Sequence, residues 1–328
     1  METVTFENFI GQEHIKAHFK EAGSSDKTGH AYILEGMKGS GKRTLAKLFA
    51  MTLLCEAGDN KPCMQCHSCK MALSEGHPDI ITVTHEKPAV ISVDEIRRQV
   101  VGDVLIRPYY GKKKIYIIPD AEKMNVNAQN SLLKTIEEPP DFAVILLLTD
   151  SRQSLLPTIN SRCVYFALRQ LSNADVGDYL MTKKGIPEKK ARVFASLSQG
   201  SIGRAMEISE SEEFIKDYEE TISFLKRSKD MPVSEILGFA KELAGNKENI
   251  GTITDIILLW YRDILMCKAA GRAVSLTFVN ETEYIEQKAR QSEYEDLNKV
   301  FLSLDALKER LKANAGTEAS MDMLLLGL

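Results

Sequence analysis

The amino-acid sequence predicts an α/β domain, a parallel sheet with helices on both faces, followed by segments that are helical throughout. Three observations carry this. An apolar run, Ala31-Tyr32-Ile33-Leu34, leads into Gly36-Met37-Lys38-Gly39-Ser40-Gly41-Lys42-Arg43-Thr44, and this glycine-rich turn opens a stretch with helical spacing from Leu45 to Ala50. Further short apolar runs at Ile80–Val83, Ile115–Ile118, Ala143–Thr149 and Val164–Phe166 alternate with helical patterns, as parallel strands joined by crossover helices do. From about Leu168 the strand signal stops.

Strand, glycine-rich turn and helix in that order make a phosphate-binding loop. Glycines let the chain curl so that successive N–H groups face phosphate oxygens, and the helix N-terminus adds its positive end. Gly36, Gly41 and Lys42 fit the G-x-x-x-x-G-K pattern, with Gly39 inside the loop. The next position calls for a Ser or Thr hydroxyl to hold Mg²⁺, and Arg43 stands there instead. Thr44 comes one residue later and faces elsewhere on the helix. The loop therefore reads as a degenerate nucleotide cradle, with ATP or ADP bound weakly or not at all.

Composition bounds the function. At 328 residues the chain has room for two or three domains, and 44% hydrophobic with 27% charged residues is ordinary for a soluble globular protein. Lys+Arg 42 against Asp+Glu 46 gives a net charge of −4, so no global basic field draws in nucleic acid and any DNA contact has to be local. The N-terminal stretch is acidic and lacks an apolar signal core, and no run approaches the roughly 18–20 apolar residues of a membrane span. A cytoplasmic protein without a membrane partner is expected. In a reducing compartment the six cysteines point to metal or core roles.

Taken in order, a helix is expected from Glu13 to about Ala22, ahead of the strand at Ala31. Cys55, Cys63, Cys66 and Cys69 follow the helix of the phosphate loop, spaced C-x7-C-x2-C-x2-C among residues too polar for a core. Four thiolates with no open position describe a structural Zn²⁺ site, a zinc module at 55–69. His77-Pro78-Asp79 closes that excursion. Ser92-Val93-Asp94-Glu95 is a capping box opening a helix through Val101. Lys112-Lys113-Lys114 is read as a solvated approach to the strand Ile115–Ile118. Acidic residues are expected at the end of that strand, facing a nucleotide's metal, and Pro119-Asp120-Ala121-Glu122 stands there. Asn125 caps a helix carrying Leu132, Leu133 and Ile136 and ending at Glu137-Glu138-Pro139-Pro140; a short helical stretch with Pro157 precedes Ser161-Arg162-Cys163. Ser172 to Ile208 reads as short helices broken at Gly185-Ile186-Pro187 and Gly200-Ser201. Everything beyond Ser209 reads helical, with an apolar helix around Trp260 and a core stripe of Leu297, Val300, Phe301, Leu304, Leu307 and Leu311.

The phosphate loop, the four cysteines, His77-Pro78-Asp79, Leu132-Leu133-Lys134-Thr135-Ile136-Glu137-Glu138-Pro139-Pro140 and Ser161-Arg162-Cys163 together resemble the bacterial clamp-loader AAA+ subunits of DNA polymerase III. The resemblance spans the whole chain. It implies an AAA+ domain at 1–167 with its zinc insertion, a helical lid at 168–208 and an all-helical collar, the oligomerisation domain, at 209–328. It also implies partners: motor (gamma/tau) and delta subunits, the sliding clamp, and primed DNA through the complex. Two kinds of subunit share these motifs, an ATP-hydrolysing motor and the delta-prime stator, and several departures favour the stator. Counting back from Leu132, Asp120 takes the place of the family's catalytic Glu and Pro119 that of its metal-binding Asp. Shifting by one puts Asp120 at the metal position and Ala121 at the base, so one carboxylate is absent either way. Arg43 replaces the Mg²⁺-binding hydroxyl. Gly203 stands where motors carry the lid arginine, with Arg204 next to it, about 100° round a helix. The chain stops at Leu328 without a long tail. The resemblance then implies no ATPase of the chain alone, membership of a nucleotidyltransferase holoenzyme, and Arg162 as an arginine finger acting in trans on a neighbour's nucleotide. The alternatives are an ATP-hydrolysing motor or other AAA+ ATPase, which turnover by the isolated chain would reveal, and a zinc-dependent nucleic-acid module, disfavoured by the negative charge.

Overall fold

A computed structural model describes residues 4–24, 28–228, 231–245, 250–271, 276–313 and 318–328. Of the helical reading beyond Ser209, 229–230, 246–249, 272–275 and 314–317 lie outside the described residues. The chain forms two compact units, Met1–Leu171 and Ser172–Leu328.

The first unit opens with helix α1 (Glu13–Ser24), strand β1 (Ala31–Glu35), helix α2 (Lys42–Leu54) and a short helix α3 (His67–Leu73) in the cysteine excursion. Strand β2 (Ile80–Thr82) leads to α4 (Val93–Ile96), which continues as a π-turn over Arg97–Val101. The capping box forms as the sequence predicts: Ser92 Oγ accepts the Glu95 amide while the Glu95 carboxylate accepts the Ser92 amide. Bonds from the Ser92 and Glu86 amides hold the Glu95 carboxyl down at about 2. Strand β3 (Lys114–Ile118), helix α5 (Val126–Glu137), strand β4 (Ala143–Thr149), helix α6 (Pro157–Asn160) and strand β5 (Val164–Ala167) complete the unit.

All strand pairs are parallel, in the order β2-β3-β4-β1-β5. Alternate strand residues feed two cores. Ile33, Tyr116, Ile118, Ile145 and Leu147 pack under α4 and α5, while Tyr32, Leu34, Ile117, Leu146 and Leu148 pack under α1 and α2. Every residue of β4 is buried, which explains its unbroken apolar run. The order reverses at β1, between β4 and β5, so the loop after β1 sits at the switch point where open α/β sheets bind ligands.

The lysine run departs from expectation. Lys114 is 1% exposed, its Nζ 2.7 Å from an Asp103 carboxylate that also accepts the Tyr116 hydroxyl at 2.7 Å. A buried ammonium is tolerated because it is paired on the spot.

The second unit is helical among its described residues: α7 (Asn173–Lys184), α8 (Glu188–Leu197), α9 (Ile202–Glu210), α10 (Glu212–Arg227), α11 (Val233–Gly245), α12 (Ile250–Ala270), α13 (Thr282–Gln291), α14 (Tyr294–Lys312) and α15 (Glu318–Leu326). Gly185 ends α7 in the left-handed conformation that glycine adopts freely. Helix α12 packs on α13 and α14, with Trp260 buried edge-on against Phe278 at 5.2 Å. Leu297, Val300, Leu304 and Leu307 of the stripe on α14 are buried in the core, whereas Phe301 and Leu311 are half-buried at its edge.

Candidate functional site

The phosphate loop leaves β1 with the Gly36 amide bonded to the Thr149 carbonyl, so it curls beside the end of β4. Gly39 and Gly41 have φ of 77° and 91°, which L side chains rarely adopt, and a Cβ on Gly36 would lie 2.8 Å from Ser40 Oγ. Inside this curl Lys42 is turned back on its own chain. Its Nζ donates to the Gly36 carbonyl, to the Met37 carbonyl at 3.2 Å and to the Asp150 carboxylate at 2.5 Å. The register pairs Glu35 with Thr149, which puts Asp150 directly beside Gly36. Asp150 was not among the expected site residues; its signal in the sequence is an acid closing the longest apolar strand run.

Asp120 leaves β3 in the left-handed region, φ 51°, which aspartate tolerates. Its Oδ2 accepts Arg43 Nη2 at 3.2 Å and Lys123 Nζ at 3.3 Å. Glu122 accepts the Asp150 amide at 3.2 Å. The structure thus brings Gly36, Gly39, Gly41, Lys42, Arg43 and Asp120 together, with each named charge countered by another of the chain's own. Thr44 follows on α2, half-buried. In the second unit Arg204, the neighbour of the lid position, contacts Asp255 of α12 at 3.4 Å, and Lys308 reaches the same carboxylate at 3.0 Å.

The sulfur atoms of Cys55, Cys63, Cys66 and Cys69 all lie within 4.8 Å of one another, with Cys55 and Cys66 at 4.0 Å. A tetrahedral Zn²⁺ with bonds of about 2.3 Å requires sulfurs about 3.8 Å apart, so the set fits a zinc ion after small adjustment. Amides of Cys63, Cys66 and Cys69 point at the sulfurs of Cys55, Cys63 and Cys66 at 3.3–3.4 Å, an arrangement that favours thiolates. Amides of Gln65 and Cys66 hold the Cys63 thiol down at about 6, whereas burial pushes the thiols of Cys55 and Cys69 up. Four cysteines in this arrangement can hold one metal ion between them. Cys163 lies apart, half-buried against the core, and burial raises its thiol to about 12.

His77-Pro78-Asp79 ties this module to the sheet. Ser68 on α3 meets His77 Nε2 at 3.0 Å, and His77 Nδ1 accepts the Asp79 amide at 3.1 Å. Burial lowers the His77 pKa, so the ring is neutral in this relay. The fully buried Asp79 carboxylate accepts the amides of Tyr109, Tyr110 and Gly111 at 2.6, 2.8 and 3.0 Å. Asp79→Ala strands three donors and is expected to cost roughly 3 kcal/mol or more, with Asp79→Asn losing less because one acceptor oxygen remains. Urea unfolding of the two variants checks this; equal stability of all three proteins would remove Asp79 as the anchor.

Arg162 follows α6, ahead of β5. Parallel pairing of β1 with β5 puts it near the strand beginnings, opposite the end that carries the phosphate loop. Its guanidinium donates to the Thr158 carbonyl at 3.0 Å and Ser161 Oγ at 3.2 Å, and lies 2.9 Å from Glu137. Glu137 belongs to the Leu132–Pro140 run, so one ion pair joins the two most distinctive motifs. The arginine side chain remains 38% exposed.

The family model described as DNA polymerase III, delta subunit, matches residues 11–172. DNA polymerase III subunit delta' of Bacillus subtilis is 31% identical over 311 residues, covering 92% of each chain. This chain belongs to the DNA polymerase III delta' family. Subunit delta' of Pseudomonas aeruginosa is 40% identical over 156 residues, 45% of this chain and 46% of that one. The chain is also similar to DNA polymerase III subunit tau of Bacillus subtilis, 30% identical over 321 residues, 88% of this chain but 56% of tau. No helix among the described residues is long and apolar enough to cross a membrane.

Proposed function

We propose that this chain is the stator of a DNA polymerase III clamp loader, joined to gamma/tau and delta subunits, and that it helps load the sliding clamp on primed DNA. Its chemical contribution in this reading is Arg162, presented in trans to ATP held by a neighbouring motor subunit. The observation that carries the reading is the contrast between the two ends of the sheet. At one end Lys42, Arg43 and Asp120 are countered by the chain's own groups, and the metal-binding hydroxyl is replaced by Arg43. At the other the Arg162 guanidinium, tethered to Glu137 and 38% exposed, lies away from the chain's own phosphate loop and within reach of a neighbouring subunit. Residues 168–208 act as the lid and 209–328 as the collar that joins the ring. Zinc, held by Cys55, Cys63, Cys66 and Cys69, is structural.

The isolated chain is expected to show no ATP turnover above background, because the cradle lacks the metal-binding hydroxyl and one of two catalytic carboxylates. Turnover that persists through purification and disappears on Lys42→Ala would make it a motor instead. Complex formation is tested by mixing the tagged chain with purified gamma/tau, delta and clamp from the same source. One stable assembly that loads clamp on primed DNA is expected, and failure to join gamma/tau and delta would overturn the stator reading.

A further inference from the structure

The cradle is altered, yet its phosphate-binding shape is kept. Gly36 lies so close to Ser40 and Leu168 that it has no room for a Cβ, Gly41 starts α2 in the left-handed conformation, and Ser40 Oγ is buried in the loop with no hydrogen-bond partner. An orphaned hydroxyl in such a place suits a ligand oxygen. What has changed is the position that handles metal. A guanidinium has no lone pair to offer Mg²⁺. The carboxylate that remains, Asp120, is held by two fixed cations, Arg43 and Lys123, at 3.2 and 3.3 Å. A divalent ion approaching Asp120 would meet both. Arg43 spends one N–H on Asp120, and with its side chain 70% exposed it keeps its other donors for a second anion. Planar forks of this type bind phosphate oxygens in pairs.

We propose that this cradle binds the diphosphate group of a nucleotide without a divalent cation, Arg43 on its Asp120 tether standing where Mg²⁺ would. Lys42 supplies the second cation. In the unliganded loop it is covered by Asp150, a half-exposed carboxylate that mimics the phosphate and must swing out for the ligand to enter. Asp150 is thus a built-in competitor. Magnesium acts against binding here: it masks the charge of the diphosphate and brings its own charge towards Arg43 and Lys123. The site is independent of the role of Arg162, since it needs no partner subunit.

Equilibrium dialysis of the full chain against ADP, ATP and inorganic pyrophosphate, in EDTA and in excess magnesium, tests this. The wild-type protein should bind at least as tightly in EDTA as in magnesium. Asp150→Asn should bind about tenfold more tightly, the effect of removing one competing ion pair. Arg43→Thr, a change on an exposed side chain that leaves the fold intact, should lose at least tenfold in EDTA and regain part of it in magnesium. Pyrophosphate binding as well as ADP supports a site that reads the diphosphate alone, and tighter ADP supports a nucleotide site. Wild-type affinity that requires magnesium, equal affinity of wild type and Arg43→Thr in EDTA, or failure of Asp150→Asn to bind any of the three ligands would each overturn the proposal.

Discussion

Arg162→Ala is expected to lower the clamp- and DNA-stimulated ATPase of the reconstituted loader by at least the share of one interface. A finger arginine is worth ~10³–10⁵ in rate in well-studied NTPases, so the affected site should fall nearly silent. The substitution should leave folding, zinc content and assembly untouched. The ion pair it removes has both side chains partly in water, 38% and 45% exposed, and such pairs contribute about 0–1 kcal/mol. Arg162→Lys separates charge from geometry: a lysine keeps the cation but cannot present the planar fork, and should recover only part of the rate. The assay reconstitutes wild-type or variant chain with unchanged partners. Equal ATPase and equal clamp loading would reduce Arg162 to a loop arginine holding Glu137.

The second large effect concerns metal. One Zn²⁺ per chain is expected under reducing conditions, falling to near zero when any one of Cys55, Cys63, Cys66 or Cys69 becomes serine. Structural zinc binds zinc-finger peptides with roughly 10–16 kcal/mol at neutral pH, far more than a short polar excursion gains by packing, so the stripped module should unfold as a unit. The loss should spread along one route. Ser68 on α3 holds His77, His77 holds the Asp79 amide, and Asp79 holds the amides of Tyr109, Tyr110 and Gly111. Hydrogen exchange should therefore accelerate at 55–73 and at 109–111, while amides of α2 and β4 stay protected. Zinc-free protein of full stability, or unchanged exchange at 109–111 in a stripped variant, would count against this account.

Much of the first unit was legible because its signals are local. Apolar runs mark strands that are buried on both faces, the capping box at Ser92 marks a helix start, and C-x7-C-x2-C-x2-C brings four sulfurs together within a single excursion. Each of these depends on residues a few positions apart, where the chain's own geometry sets who meets whom. The stripe on α14 was legible for the same reason, since helical spacing alone gathers Leu297, Val300, Leu304 and Leu307 on one face.

Local spacing did not reveal where the charges go. Lys114 looked like one of three solvated lysines, and its burial follows from Asp103, supplied by a separate turn of chain. Asp150 lies 108 residues from Lys42 in sequence, and only the β1–β4 register brings the two together. Glu137 and Arg162 meet because α5 and α6 pack on one face of the sheet. Composition and pattern specify which elements form, because burial of apolar surface depends on spacing and size. Electrostatic pairing depends on distance and local dielectric, quantities that exist only once strands from distant parts of the chain lie side by side.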